Sequence, residues 1–166
     1  MENIIAKFQM LDNYVKEYRM ELNEKINSNT KIDLNCKLGY GIQDIREEKN
    51  LIGQTQIVYE IILSKNQENV GKINLTMEAL FEANKEIGKD RFEEMLKYNG
   101  ATTLSQLCRA YIVSNTALSN MPIITLPMIN FKEYFKNSEN NQKVNWKALF
   151  KKYGSHFKQE LRAIFD

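Results

Sequence analysis

The chain has 166 residues, one ordinary domain's length, which can bury a core without disulfide or metal staples. Hydrophobic residues are 43% and charged residues 27%, as in a soluble globular protein. A net charge of only +2 excludes a strongly basic nucleic-acid binder and an acidic solvating chain, and 2 Pro with 7 Gly exclude long disordered linkers.

Phe8 to Leu22 places Phe8, Met10, Tyr14, Tyr18, Met20 and Leu22 at even positions. Leu11, Tyr14, Val15 and Tyr18 also fit helix spacing. A strand is preferred, because the three strands that follow require a partner at an edge. From Lys31 to Ile42, Ile32, Leu34, Cys36, Leu38, Tyr40 and Ile42 alternate with Lys31, Asp33, Asn35, Lys37, Gly39 and Gly41. Period 2 predicts a strand with one buried face. Thr55 to Leu63 is β-rich, with Ile57, Tyr59, Ile61 and Leu63 on one face and Val58 and Ile62 on the other, so cover on both sides is expected. Ser64 to Asn69 reads as a hairpin loop. Lys72 to Glu82 alternates again through Ile73, Leu75, Met77, Ala79 and Phe81, with Leu80 breaking the polar series.

After Asn84 the period changes. Asp90 to Tyr98 predicts a short helix, stopped by Asn99-Gly100 as a C-cap. Thr103 followed by Gln106 fits a capping box opening a second helix. That helix carries a wide apolar stripe of Leu104, Leu107, Cys108, Tyr111, Ile112 and Leu118, which must pack on a sheet, another subunit or both. Met121 to Ile129 contains both prolines and is unusually apolar. Pro127 disfavours helix and central strand, so an extended loop is expected that covers a core or offers apolar surface. Asn130 can cap a helix through Phe131, Tyr134 and Phe135, and Asn137 to Lys143 reads as a break. From about Val144, Trp146, Leu149, Phe150, Tyr153, Phe157, Leu161 and Ile164 form one face of a last amphipathic helix. Its basic side permits contact with a membrane or nucleic acid, but packing of its aromatic face is the commoner use.

Three stretches resemble the SecB-like protein-export chaperones. Tyr14-Val15-Lys16-Glu17-Tyr18-Arg19-Met20-Glu21 looks like the first-strand pattern of that family. Arg109 followed by Ala110-Tyr111-Ile112-Val113 is similar to its long helix. Met121-Pro122-Ile123-Ile124-Thr125-Leu126-Pro127-Met128-Ile129-Asn130-Phe131 is similar to its crossover, which ends in Pro, apolar, Asn, Phe. The likeness spans Phe8 to Phe135. It implies an α+β fold, with a four-stranded antiparallel sheet followed by helices packed on one face. An additional C-terminal amphipathic helix follows. One domain over 1–166 is expected, with the sheet at about 8–85, helices and crossover at about 89–136 and the last helix at about 144–165. The resemblance also implies a homo-oligomer, a dimer of dimers, with Leu104, Leu107, Cys108, Tyr111 and Ile112 at the interface. The slightly basic charge departs from the acidic surface by which the family docks on the SecA-type motor.

Catalytic readings are weak. His156 is the only histidine and neighbours Ser155 on a helix, where adjacent residues do not face each other. Cys36 and Cys108 sit in apolar patterns and form no CxxC, as buried thiols of a reduced, cytoplasmic protein would. Gly39-x-Gly41 lies inside a strand and opens no helix, so it is a twist or bulge rather than a phosphate loop. Asp90, Glu93 and Glu94 fit a helix cap and dipole partners better than a metal site. Glu47-Glu48 reads as a solvated turn or strand start. Met1 to Lys7 is too polar for a signal peptide, and no apolar run approaches the roughly 20 residues of a membrane span.

The expected function is an ATP-independent molecular chaperone that binds unfolded or extended polypeptides in an apolar groove lined by Met121, Ile123, Leu126, Met128, Phe131 and Tyr134. Export is the setting the resemblance implies. The alternative is a dedicated interaction module or chaperone for a single partner such as an antitoxin, and a small enzyme ranks third. No cofactor, metal, nucleic acid or membrane insertion is expected.

Overall fold

The computed structural model of the chain describes residues 7–140. Four long strands, β1 (Phe8–Leu22), β2 (Asp33–Glu47), β3 (Leu51–Lys65) and β4 (Glu68–Ala83), form one antiparallel sheet in the order β1-β4-β3-β2. The three hairpin-linked strands β2, β3 and β4 run side by side, and β1 adds next to β4 in a Greek-key order. The preference for strand over helix at Phe8–Leu22 is met, and the strand lies at an edge. There its apolar residues are only half-covered, which is why its periodicity is diluted. Two irregularities, at Met10/Asp12 and Val15/Glu17, bend this edge. In β2 the register shifts between Ile42 and Asp44, just past the Gly39-x-Gly41 pair.

Each hairpin is tighter than its sequence suggests. β3 and β4 are joined through Asn66 and Gln67 alone, both at positive φ (52° and 71°), as a two-residue primed turn requires. β2 continues five residues beyond Ile42 and ends at Glu47, so Glu47 closes a strand rather than opening one.

One face of the sheet is dry. Ile57, Tyr59, Ile61 and Leu63 of β3, with Ile73, Leu75, Met77, Ala79 and Phe81 of β4, are all buried. On the opposite face of β3, Val58 and Ile62 are half-buried, so cover there is partial. Helices α1 (Lys89–Met95) and α2 (Ala101–Leu118) lie on the dry face. Phe92, Leu96, Leu104, Cys108 and Ile112 fill it, Ser105 is hydrogen-bonded to Tyr59 at 2.7 Å, and Cys108 Sγ lies 3.9 Å from Met77 Sδ. Close approach is possible at Gly53, where a Cβ would stand 2.4 Å from a Leu96 methyl.

The helical region corrects two local expectations. Asn99-Gly100 does not end a helix: Leu96–Gly100 is a π-helical turn that joins α1 to α2 without a break. Gly100 has φ −59°, right-handed rather than the left-handed terminator conformation. Thr103 therefore lies inside α2 and forms no capping box, and the N-cap of α1 is Gly88 (φ 77°) rather than Asp90, which sits in the first turn. The Leu96 carbonyl accepts the π-type hydrogen bond from the Ala101 N–H and a second one from Tyr40 of β2, whose hydroxyl donates to it at 2.6 Å. Burial pushes the Tyr40 phenol well above its ordinary pKa.

α3 (Phe131–Asn140) follows the crossover and runs through Asn137–Asn140, where a break was expected. Its polar residues there still form the outer turns of a helix started by Phe131. The chain divides into two compact units, Met1–Phe131 and Lys132–Asp166. The predicted helix from Val144, with His156, lies outside the described residues.

The sheet face turned away from α2 holds a buried carboxylate. Glu78 of β4 accepts hydrogen bonds from Lys16 Nζ (2.7 Å) and Gln56 Nε2 (2.7 Å) on one oxygen, and from Gln54 Nε2 (3.1 Å) and the Tyr14 hydroxyl on the other. Tyr14 is the ladder partner of Glu78, and the irregularity at Val15/Glu17 releases Lys16 from the ladder to reach the same carboxylate. The polar groups therefore fix the register of the edge strand against the centre of the sheet.

Candidate functional site

Residues 120–130 contain no helix or strand, in agreement with the two prolines. The crossover leaves α2 through Asn120, at φ 52°, and turns back along the helix it has just left. Two hydrogen bonds hold it there. The Ile124 backbone N–H donates to Thr116 Oγ at 3.1 Å, and Arg109 Nε donates to the Leu126 carbonyl at 2.7 Å. Thr116 is wholly buried and donates in turn to the Ile112 carbonyl at 2.8 Å. At the far end Phe131 is buried against Tyr40, with ring centroids 6.3 Å apart.

Extended backbone turns successive side chains to opposite sides. Ile124 and Leu126 point inward and are buried, whereas Ile123, Thr125 and Pro127 are exposed. Met121 and Phe131 are buried at the two ends. The side chains left outside are apolar: Ile123 is 63% exposed and Met128 76%, beside Leu118 at the end of α2, 87% exposed. No other large apolar side chain among the described residues is as exposed as these three. Thus the expected groove residues separate. Met121, Leu126 and Phe131 attach the crossover to the core, Ile123 and Met128 face solvent, and Tyr134 lies half-buried on α3 with its ring 5.1 Å from that of Phe135. Leu118 was legible only as part of the α2 stripe. Thr116 and the role of Arg109 gave no periodic signal, because both act through a hydrogen bond to the crossover backbone.

The expected interface residues also separate. Leu104, Cys108 and Ile112 are buried against the sheet of the same chain, while Leu107 and Tyr111 are half-buried. Tyr111 stands edge-on to Tyr18 of β1, with centroids 5.3 Å apart. Ala110, Ser114 and Ala117 form the exposed side of α2.

Neither thiol has the environment of a nucleophile. Burial pushes the Cys108 thiol up to about 12 and raises that of Cys36, whereas a reactive cysteine needs a lowered value. Among the described residues no group of three or more His, Cys, Asp or Glu side chains is placed to hold a metal ion, and no helix is long and apolar enough to cross a membrane.

No protein-family model matches the sequence, and no curated protein matches it. Solved structures do. The Mycobacterium tuberculosis SecB-like chaperone Rv1957, solved in complex with a ChAD peptide from the Rv1956 HigA1 antitoxin, is similar with a TM-score of 0.59 and 13% sequence identity. The match covers 75% of this chain and 91% of that one. A protein of unknown function from Streptococcus agalactiae matches with a TM-score of 0.41 and 11% identity, over 72% of this chain and 96% of that one. The four-stranded antiparallel sheet followed by helices is thus a SecB-like α+β fold.

Proposed function

We propose that this chain is a holding chaperone that binds unfolded or extended polypeptide segments, without ATP, on the apolar patch of its crossover. The observation that carries the reading is the outward placement of Leu118, Ile123 and Met128 on a crossover pinned to α2. Full burial of such a side chain contributes about 1.5–3 kcal/mol, so the exposed part of the three offers about 3–7 kcal/mol before the costs of association. That gives weak, exchangeable binding from one patch, suited to varied clients, and the flexible thioether of Met128 adapts to their shapes. The proposed client residues are Ile123, Met128 and Leu118. Met121, Leu126 and Phe131 hold the crossover in place.

The second reading is service to one partner. It is favoured by the peptide in the Rv1957 complex, which comes from an antitoxin. Export coupled to a SecA-type motor in the cytoplasm is a further possibility of the SecB-like fold and has no support from this chain's charge. Self-association would use the outer side of α2, through Leu107, Tyr111 and Ala110. Ala110→Glu is then expected to split the assembly in analytical ultracentrifugation, and a wild-type monomer at micromolar concentration would remove the idea.

The client patch is tested with Ile123→Ser combined with Met128→Ser. Both positions are exposed, so stability is expected to change by no more than about 0.5 kcal/mol. Suppression of aggregation of a denatured model protein should fall sharply. A wild-type protein without such suppression, or a folded double variant that suppresses equally well, would overturn the assignment.

A further inference from the structure

The methionines of the described residues divide sharply by environment. Met77 and Met121 are buried, at 3% and 2% exposure, and Met10, Met20 and Met95 are half-buried. The sulfur of Met77 lies 3.9 Å from Cys108 Sγ, and that of Met20 lies 3.9 Å from the Tyr18 hydroxyl. Met128 alone among them is exposed, at 76%. It stands two residues beyond the Leu126 carbonyl that Arg109 grips, so its thioether is presented to solvent from a backbone fixed to α2. From Met121 to Ile129 the crossover carries no charged residue, and Thr125 is its one polar side chain.

The rivals of this thioether for an oxidant are the two thiols. A thiol reacts as its thiolate. Burial raises the Cys36 thiol and pushes that of Cys108 up to about 12, so both are protonated near neutral pH. A thioether has no proton to lose, and its reaction does not wait on one. With hydrogen peroxide, a sulfur lone pair attacks one peroxide oxygen. The S–O bond forms as the O–O bond breaks, sulfur gives up two electrons, and the second oxygen leaves as water. The product is the sulfoxide, polar where the thioether was apolar. A dithiol reductant reverses the step: the sulfoxide oxygen leaves as water and the two thiols become a disulfide.

We propose that Met128 is an oxidation site that switches the client patch: peroxide converts its thioether to the sulfoxide, and apolar clients are released from Leu118, Ile123 and Met128. This rests on the client-binding reading above and adds its regulation. A sulfoxide oxygen covered by an apolar client loses its water and gains no partner, which opposes binding. Losing the apolar contact of one of three exposed side chains weakens a client by about tenfold. The fold is untouched, because the oxidised group faces solvent.

The test treats the full chain with hydrogen peroxide and follows two readouts: peptide mapping by mass spectrometry, and binding of a fluorescent apolar peptide by anisotropy. Met128 is expected to gain one oxygen before any other described methionine or either thiol, at the same rate at about pH 6 and about pH 8. Affinity for the peptide should then fall about tenfold with an unchanged circular dichroism spectrum, and methionine sulfoxide reductase with dithiothreitol should restore it. Met128→Leu, compared with its own untreated form, should keep its affinity through the treatment. An equal loss in Met128→Leu, or oxidation that reaches a thiol or another described methionine first, overturns the proposal. Oxidised Met128 with unchanged affinity overturns the switch and leaves the chaperone reading standing. An untreated wild-type chain that binds no apolar peptide overturns the chaperone reading and the switch with it.

Discussion

Removing the carboxylate of Glu78 is expected to unfold the protein far more readily than any exposed charge change. Its two oxygens accept four hydrogen bonds from β1 and β3, and the side chain is wholly buried. Glu78→Ala leaves the buried amides of Gln54 and Gln56 without this acceptor, and each lost partner costs about 1–3 kcal/mol. Lys16 keeps 21% of its side chain in contact with solvent and recovers part of its hydration, so its share is smaller. Breaking a buried charge pair in this way typically costs about 3–5 kcal/mol, and for a chain of this size each kcal/mol moves the melting temperature by about 2–4 °C. The expected loss is therefore about 3–5 kcal/mol in urea denaturation with an unchanged slope, and roughly 10 °C in melting temperature. Tyr14→Phe should cost about 1–2 kcal/mol. Lys16→Met combined with Glu78→Leu should cost less than the two single changes together, because the ion pair is removed as a unit. A loss below about 1 kcal/mol for Glu78→Ala would refute the view that this network holds β1 in register.

Three further outcomes are expected. Tyr59→Phe should destabilise the protein by about 1–2 kcal/mol in urea melts, because Ser105 loses its partner inside the core, whereas an exposed hydroxyl would cost almost nothing. Native protein should react with a thiol reagent slowly and at Cys36 first, since burial holds Cys108 protonated with a pKa of about 12; reaction at both sites only after unfolding is the checkable pattern. Glu60 is held below the ordinary carboxylate range, first by the hydrogen bond from Lys72 and then by that from Lys37. Its stabilising contribution is thus complete above the unfolded carboxylate pKa and is lost as pH falls through the lower folded value. Glu60→Gln should flatten that part of the acid limb of a stability–pH curve.

The sequence by itself determined the strands and the class of fold, because a period of 2 can be satisfied only by one dry and one wet sheet face. Ile57, Tyr59, Ile61 and Leu63 announce that face, and the structure buries each of them. It also determined that the Met121–Ile129 segment is extended, since two prolines in an apolar run permit little else. Tertiary structure decided what local pattern leaves open. Asn99-Gly100 has the composition of a helix stop, yet the chain continues helically there: Phe92, Leu96, Ala101 and Leu104 on either side of it are buried in the core, and the Leu96 carbonyl accepts both from the Ala101 N–H and from Tyr40, 56 residues away in sequence. Which crossover side chains face outward depends on Thr116 and Arg109 gripping its backbone at Ile124 and Leu126, contacts that no spacing in the sequence encodes. The same holds for Glu78, which reads as one more polar residue on a wet strand face. Its burial follows from the irregularity in β1 that delivers Lys16 to it and from the neighbouring strand that places Gln54 and Gln56 alongside.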